Sequence, residues 1–372
     1  MIARLSLVCG VLAALLAPSL LRAEQPVLPL ALPSLERSSV SGHLRILSAT
    51  DAEMIAPLLQ GFRHRYPDIT VEYVEYDQSQ DLNRDVQAAC RQHMPLADLI
   101  INSAIDLQVK LVNGGCAQRQ SLRAALPEWA RWRDELYGLT YEPVVIAYRK
   151  SAFPAGNPPR SRFEMLDLMR HDPALYYGRV GTYDIRSSGA GYLFMTLDAT
   201  QASTFGRMME SLARSQARLV CCSAQVLDGL QDGSLSLGYN ILGAYALDRQ
   251  RKGGSEIGII FPEDYTLVFT RTAFVYKFAS NPSAAAAFID FALSDEGRRI
   301  SREETTLLNP IDGEPALRVL YGLPPDAPLR LRPIEISPAL LLGQDQQKRR
   351  HLLKEWLAAL HEIASEGPGE GW

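Results

Sequence analysis

Past its first two dozen residues the sequence has no apolar run of the roughly 18 residues that a membrane-spanning helix needs. It is also poor in the groups that carry hydrolytic or metal chemistry. Six histidines occur in 372 residues, and none stands beside a matched nucleophile. There is no G-x-S-x-G elbow and no P-loop, and His361-Glu362 runs into Ile363-Ala364-Ser365 without completing H-E-x-x-H. No C-x-x-C pair offers spaced thiolates to zinc. A basic excess is missing too: the formal net charge is −4, which speaks against a nucleic-acid partner. These absences turn the reading away from a secreted enzyme. No catalytic residue, metal or cofactor is expected.

What is present begins with a leader. Arg4 gives a short positive region, Val8 to Ala17 a compact apolar stretch, and Leu21-Arg22-Ala23 a cleavage site before Glu24, so residues 1–23 read as a signal peptide and the mature chain as periplasmic. Cys9 falls too early for a lipid-attachment box and reads as apolar filler. Removing Arg4 and Arg22, and no acidic residue, takes the net charge from −4 to −6. About 350 residues remain, above the roughly 250 to 300 at which a single core tends to split, so two lobes are expected.

Residues 24–42 are rich in Pro and Ser and read as a loose entry to the fold. Short strands then alternate with helical patterns: Leu44-Arg45-Ile46-Leu47, the helix through Ile55, Leu58, Leu59 and Phe62, the strand from Ile69 to Tyr76, a helix around Leu82 to Cys90, and the strand Ala97 to Ile101. A second series starts at Val144 to Tyr148, passes Gly178 to Tyr183 and reaches Ser236 to Tyr239. The strand Thr266 to Phe278 leads into a helix from Ser283 to Leu293, and a last helix runs from about Gln344 to Ile363. The final Gly-Pro-Gly-Glu-Gly-Trp reads as a frayed tail. Alternation of this kind implies α/β lobes with mostly parallel sheets, whose ligands lie beyond the carboxyl ends of the strands.

Four cysteines follow the leader: Cys90, Cys116, Cys221 and Cys222. They allow three full pairings, among which sequence does not choose. The preferred one joins Cys90 to Cys116 and leaves Cys221 and Cys222 as a vicinal pair or as buried thiols.

The order of segments resembles the type II periplasmic solute-binding proteins of ABC transporters, in the branch holding ferric-iron binders and the phosphoglycerate transport regulatory protein. The most specific stretch is Ile257 to Tyr265, followed by Arg271 and by Asn281-Pro282-Ser283-Ala284-Ala285 running to Leu293-Ser294-Asp295-Glu296-Gly297. Ala97-Asp98 before Asn102-Ser103, and Pro143 to Tyr148, support it. The resemblance implies a two-lobed fold with hinge strands: residues 43–142 plus about 266–365 in lobe 1, and 143–265 in lobe 2. It also implies a monomer that closes on one ligand and hands it to an ABC permease, or presents it to a sensor kinase.

The segment Tyr183 to Gly191 is the first candidate for the site. It leaves a strand and opens a helix, so backbone N–H groups could meet an anion, with Ser187 and Ser188 adding hydroxyls, Gly189 permitting close approach, and Arg186 gripping a carboxylate or phosphate. A plain cap with a solvated Arg186 is the bland alternative. Ser48, Ala49 and Thr50, and likewise Asn102 and Ser103, sit at strand ends and read as ligand contacts or as caps. Tyr239 and Asn240, with Tyr245, fall where ferric-iron binders carry neighbouring tyrosines. The six-residue separation of these two departs from that pattern and favours an organic anion over iron. Arg271, among apolar and β-branched neighbours, needs a partner and reads either as half of an ion pair or as a second anion ligand.

Overall fold

A computed structural model describes residues 40–201 and 205–365. The signal-peptide reading, most of the Pro/Ser-rich entry and the Gly-rich tail lie outside the described residues.

The first half builds β1 (Gly42–Ser48), α1 (Ala52–Arg65), β2 (Ile69–Glu75), α2 (Ser79–Arg91), β3 (Leu99–Asn102), α3 (Ile105–Asn113), β4 (Arg131–Trp132) and β5 (Leu136–Gly138). The chain then enters β6 (Glu142–Arg149), followed by α4 (Arg162–His171), α5 (Pro173–Tyr176), β7 (Val180–Tyr183), α6 (Gly189–Gln201), α7 (Phe205–Arg214), β8 (Arg218–Val220), α8 (Ser223–Asp232), β9 (Leu237–Leu242), α9 (Gly243–Arg251) and β10 (Ile257–Ile260). It returns through β11 (Thr266–Phe269) and β12 (Thr272–Val275) to α10 (Pro282–Leu293), α11 (Asp295–Glu304), α12 (Gly313–Leu320), β13 (Leu331–Pro333) and α13 (Gln346–Ser365).

These strands form two sheets. The first runs β2-β1-β3-β12-β5-β4, with β1 parallel to β2 and β3 and with β12 antiparallel to β3. The second runs β13-β11-β6-β9-β7-β8, with β10 on β6. Period-two alternation assigns the faces of β1: Leu44 and Ile46 pack with Phe62 of α1 and Phe288 of α10, whereas Leu47 packs on the other face with Leu82 and Val86 of α2. In the second sheet, Ile146 and Tyr239 face Met165, Leu212 and Trp356, and Val145 and Ile241 face α8.

Local chemistry sets several helix starts. Asn281 caps α10 by accepting from Ala284 N, with Pro282 in the first turn, and Ser294 caps α11 by accepting from Gly297 N. Cys90 at the end of α2 is bonded to Cys116 beyond α3.

The lobes are joined where β5 runs into β6 and β11 into β12. Two threonines tie the crossings together: Thr140 Oγ1 accepts from Arg271 N at 2.8 Å, and Thr270 Oγ1 accepts from Thr140 N at 3.2 Å. The long strand read from Thr266 to Phe278 is therefore split at Thr270-Arg271. Its first half belongs to the second sheet, as does β13, and α13 packs with Trp356 in the core of lobe 2. The sequence reading had placed everything from about 266 to 365 in lobe 1. The difference arises because β11 pairs with β6 before the crossing, and because α13 is placed by contacts distant in sequence.

Candidate functional site

Six turns that follow strands, β1 to α1, β2 to α2, β3 to α3, β7 to α6, β8 to α8 and β9 to α9, supply nearly all of the lining of one cavity of about 420 Å³ between the sheets. That volume falls within the roughly 300 to 1,000 Å³ of small-molecule sites. The cause is general: at the carboxyl end of a strand the chain turns into a helix whose first N–H groups have no partner within the helix.

In lobe 1 the lining comprises Ala49 and Asp51, then Glu75, Asp77, Gln78 and Ser79, and Ser103. Glu75 Oε2 accepts from Ala52 N at 2.6 Å and so closes the start of α1. The start of α2 has no such cap: Gln78 makes no side-chain capping bond. Ser79 and Ser103 hold their hydroxyls 3.3 Å apart, and Asn102, just outside the lining, fixes this corner by donating to Ser79 O at 3.1 Å and accepting from Ala104 N at 3.1 Å.

In lobe 2 the lining comprises Tyr183, Ser188, Gly189 and Ala190 around the start of α6, Cys221 to Gln225 at the start of α8, and Leu242 and Tyr245. Ser188 Oγ accepts from Gly191 N at 3.2 Å. Tyr183 and Ser223 share a 2.6 Å hydrogen bond. The Cys222 side chain does not cap α8, so the first N–H groups of that helix lack both an intrahelical partner and a capping side chain.

Arg271 closes the bottom of the cavity. Its side chain is 1% exposed; Nε donates to Glu142 Oε1 at 2.9 Å, Nη2 to Glu142 Oε2 at 3.2 Å, and Nη1 to Thr50 Oγ1 at 2.8 Å. Burial disfavours this cation, but the Glu142 carboxylate outweighs it and holds the guanidinium protonated. A two-pronged buried pair of this kind is charge-neutral, so Arg271 offers a ligand donors and ring-stacked bulk more than net charge.

The lobes touch around the cavity. Tyr245 of α9 donates to Asp51 Oδ1 at 2.8 Å, Lys252 pairs with Glu53 at 2.7 Å, and a Cβ added at Gly189 would meet Ala104 Cβ at 2.9 Å and Ser79 Cβ at 3.1 Å.

A model of the bacterial extracellular solute-binding proteins matches residues 44–304. The chain belongs to that family. Its two-lobed α/β fold is that of a type II solute-binding protein of ABC transporters, a family of binders exported from the cytoplasm. This solute-binding protein is similar to a substrate-binding protein of an ABC transporter from Agrobacterium tumefaciens, at 32% identity and a TM-score of 0.79, over 88% of this chain and 97% of that one. It shares its fold with the periplasmic binding protein AfuA from Actinobacillus pleuropneumoniae, solved with exogenous fructose-6-phosphate (16% identity, TM-score 0.66, 87% and 99% covered). The same holds for iron-bound HitA from Pseudomonas aeruginosa (18%, 0.64, 86% and 99%). No curated protein matches the sequence.

Of the residues singled out from sequence, the binding protein brings Ala49, Ser103, Ser188, Gly189, Tyr245 and Arg271 to the cavity wall. Ser48 and Thr50 lie just behind it, Ser48 Oγ accepting from Thr50 N at 3.0 Å. Arg186 and Ser187 are not in the lining. Arg186 is 53% exposed and spends its guanidinium on Asp184, two residues back, through bonds of 2.6 to 3.0 Å, and Ser187 Oγ donates to Asp184 O. Tyr239 and Asn240 turn away altogether: both donate to the buried Asp198, at 2.7 and 2.8 Å, and Tyr265 donates to its other oxygen at 2.6 Å. Asn240 sits at φ +58° beside the register shift between β6 and β9, which rotates its side chain off the strand's regular alternation.

The sequence reading missed Glu75 to Ser79 and Cys221 to Gln225. The first turn ends a strand it had found, so the strand-end rule would have reached it. The second follows β8, whose three residues are too short to give a periodic signal.

Proposed function

We propose that this binding protein captures a small organic anion, a carboxylate or a phosphate-bearing metabolite, for delivery to the permease of an ABC transporter. The observation that carries this reading is the pairing of two uncapped helix starts, α2 on lobe 1 and α8 on lobe 2, on one cavity with the serines Ser79, Ser103, Ser188 and Ser223. Such N–H groups and hydroxyls are donors without formal charge, and the helix dipoles add a partial positive field. The wall also has acceptors, Asp51, Glu75 and Asp77, suited to hydroxyl or ammonium groups on the rest of the ligand. An anion with a donor-rich body, such as the sugar phosphate held by the AfuA neighbour, meets both requirements.

Ferric iron is the second reading. Tyr183, Tyr245 and single carboxylates at the wall are hard oxygen donors, although among the described residues no three carboxylates are placed to hold one ion. Against it, the hydroxyl of Tyr239 is engaged with Asp198 in the interior of lobe 2.

A thermal-shift screen of the exported protein against phosphorylated sugars, small carboxylates and ferric citrate separates the two. The proposal expects stabilisation by a phosphorylated or carboxylated compound. Stabilisation by iron alone overturns it.

A further inference from the structure

Cys221 and Cys222 line the cavity, and the capture of an anion makes no use of their side chains. Their sulfurs lie 2.8 Å apart, against about 2.05 Å in a disulfide. Both line the cavity, immediately before α8, and neither caps that helix. The chain elsewhere contains the Cys90–Cys116 disulfide, which marks it as a protein matured among oxidants. A dithiol could also hold a soft metal ion. However, among the described residues no group of three or more His, Cys, Asp or Glu side chains is placed to hold a metal.

We propose that Cys221 and Cys222 are joined in the exported protein by a vicinal disulfide, which forms the wall of the ligand cavity beside the start of α8. The chemistry is thiol–disulfide exchange with an external disulfide, a small-molecule or an oxidoreductase disulfide. One thiolate attacks it, a mixed disulfide forms, and the neighbouring sulfur displaces the second thiol. One S–S bond is made in the chain and one is broken in the oxidant, two S–H bonds are lost, and the two electrons and two protons end on the oxidant's two thiols.

The 2.8 Å approach of the two sulfurs favours this bond over a standing dithiol. Burial and the adjacent sulfur push the Cys221 thiol up to about 12, so Cys221 is a poor thiolate in the folded protein. A disulfide replaces two weak donors with a rigid apolar ridge, against which the uncharged face of a ligand can rest. Reduction would loosen the turn that presents the first N–H groups of α8. The redox state of this pair thus sets the shape of the wall whatever the cavity holds, and its test stands apart from the ligand screen.

The experiment is mass spectrometry on the full-length protein exported from cells and never exposed to reductant. The protein is unfolded in denaturant near neutral pH in the presence of excess N-ethylmaleimide, and the peptide carrying both cysteines is then isolated. The proposal expects that peptide without adducts and two hydrogens lighter than its dithiol form, with two adducts appearing only after reduction. Two adducts without reduction, while Cys90 and Cys116 remain protected, would overturn it, as would a link from either cysteine to another peptide. A Cys221→Ser variant supplies the control: its remaining Cys222 should accept one adduct without reduction.

Discussion

Tyr245 of lobe 2 donates its hydroxyl proton to Asp51 of lobe 1 at 2.8 Å, while its ring lies 5.4 Å from the Arg271 guanidinium carbon at the crossing between the lobes. One side chain thus spans the mouth and the floor of the cavity. A contact that exists only when the lobes are together contributes to holding a ligand by its full strength. Tyr245→Phe keeps the ring and removes the hydrogen bond. We expect it to weaken ligand retention by about 0.5 to 1.5 kcal/mol, read by calorimetric titration, with little change in the melting temperature of the unliganded protein.

Gly189 tests closure sterically. With Ala104 Cβ and Ser79 Cβ at 2.9 and 3.1 Å from a Cβ placed there, a larger residue must push the lobes apart. Gly189→Val is expected to lower affinity by about tenfold or more, roughly 1.4 kcal/mol or above. Small-angle scattering should show the variant failing to contract when ligand is added. Contraction equal to that of the unaltered protein would remove Gly189 from the closing surface.

Asp198 organises the interior of lobe 2 and not the cavity. It accepts from Tyr239, Asn240 and Tyr265, with Arg162 Nε 3.8 Å away and 4% exposed. Asp198→Ala strands three donors and weakens the pairing of a buried guanidinium, at a cost of about 3 to 5 kcal/mol. Urea denaturation should report the loss, while the folded fraction still binds ligand.

Asp106 gives a pH signature. It is buried on α3 and held by Gln344, with Arg349 nearby; burial nevertheless pushes its carboxyl up to about 6. The folded chain therefore keeps a proton that the unfolded chain releases near its ordinary value of about 3.9. Stability from this group is full below about pH 4, falls as pH rises toward 6, and is flat above. Asp106→Asn keeps the acceptor for Gln344 and removes the cost. The variant is expected to be more stable than the parent by about 2 to 3 kcal/mol at pH 7 and about equal at pH 4, measured by urea midpoints.

The alternation of strands and helices made the α/β architecture readable, because β1, β2 and β3 each carry enough apolar residues to declare themselves and the site follows from their ends. Ser103 after β3, and Ser188 and Gly189 after β7, were singled out by the strand-end rule and lie in the cavity lining. Arg186 lies outside the lining with its guanidinium on a carboxylate two residues earlier, a pairing that sequence does not distinguish from an empty guanidinium. Tyr239 and Asn240 lie on a strand buried on both faces, where period two does not say which face meets the cavity. The return of α13 to lobe 2 depends on Trp356 meeting Met165 and Leu212, contacts that no local pattern encodes.

The central claim is that an anion rests on the first N–H groups of α8. Proline is tolerated in the first turn of a helix but has no N–H, so Ala224→Pro deletes one donor and leaves the helix intact. The decisive measurement is calorimetric titration of the anion that most stabilises the protein into three forms: unaltered, Ala224→Pro, and the control Arg186→Ala, whose guanidinium is taken by Asp184. The account predicts a loss of about tenfold, roughly 1.4 kcal/mol, for Ala224→Pro and unchanged affinity for Arg186→Ala. Unchanged affinity in Ala224→Pro with a loss in Arg186→Ala would contradict it.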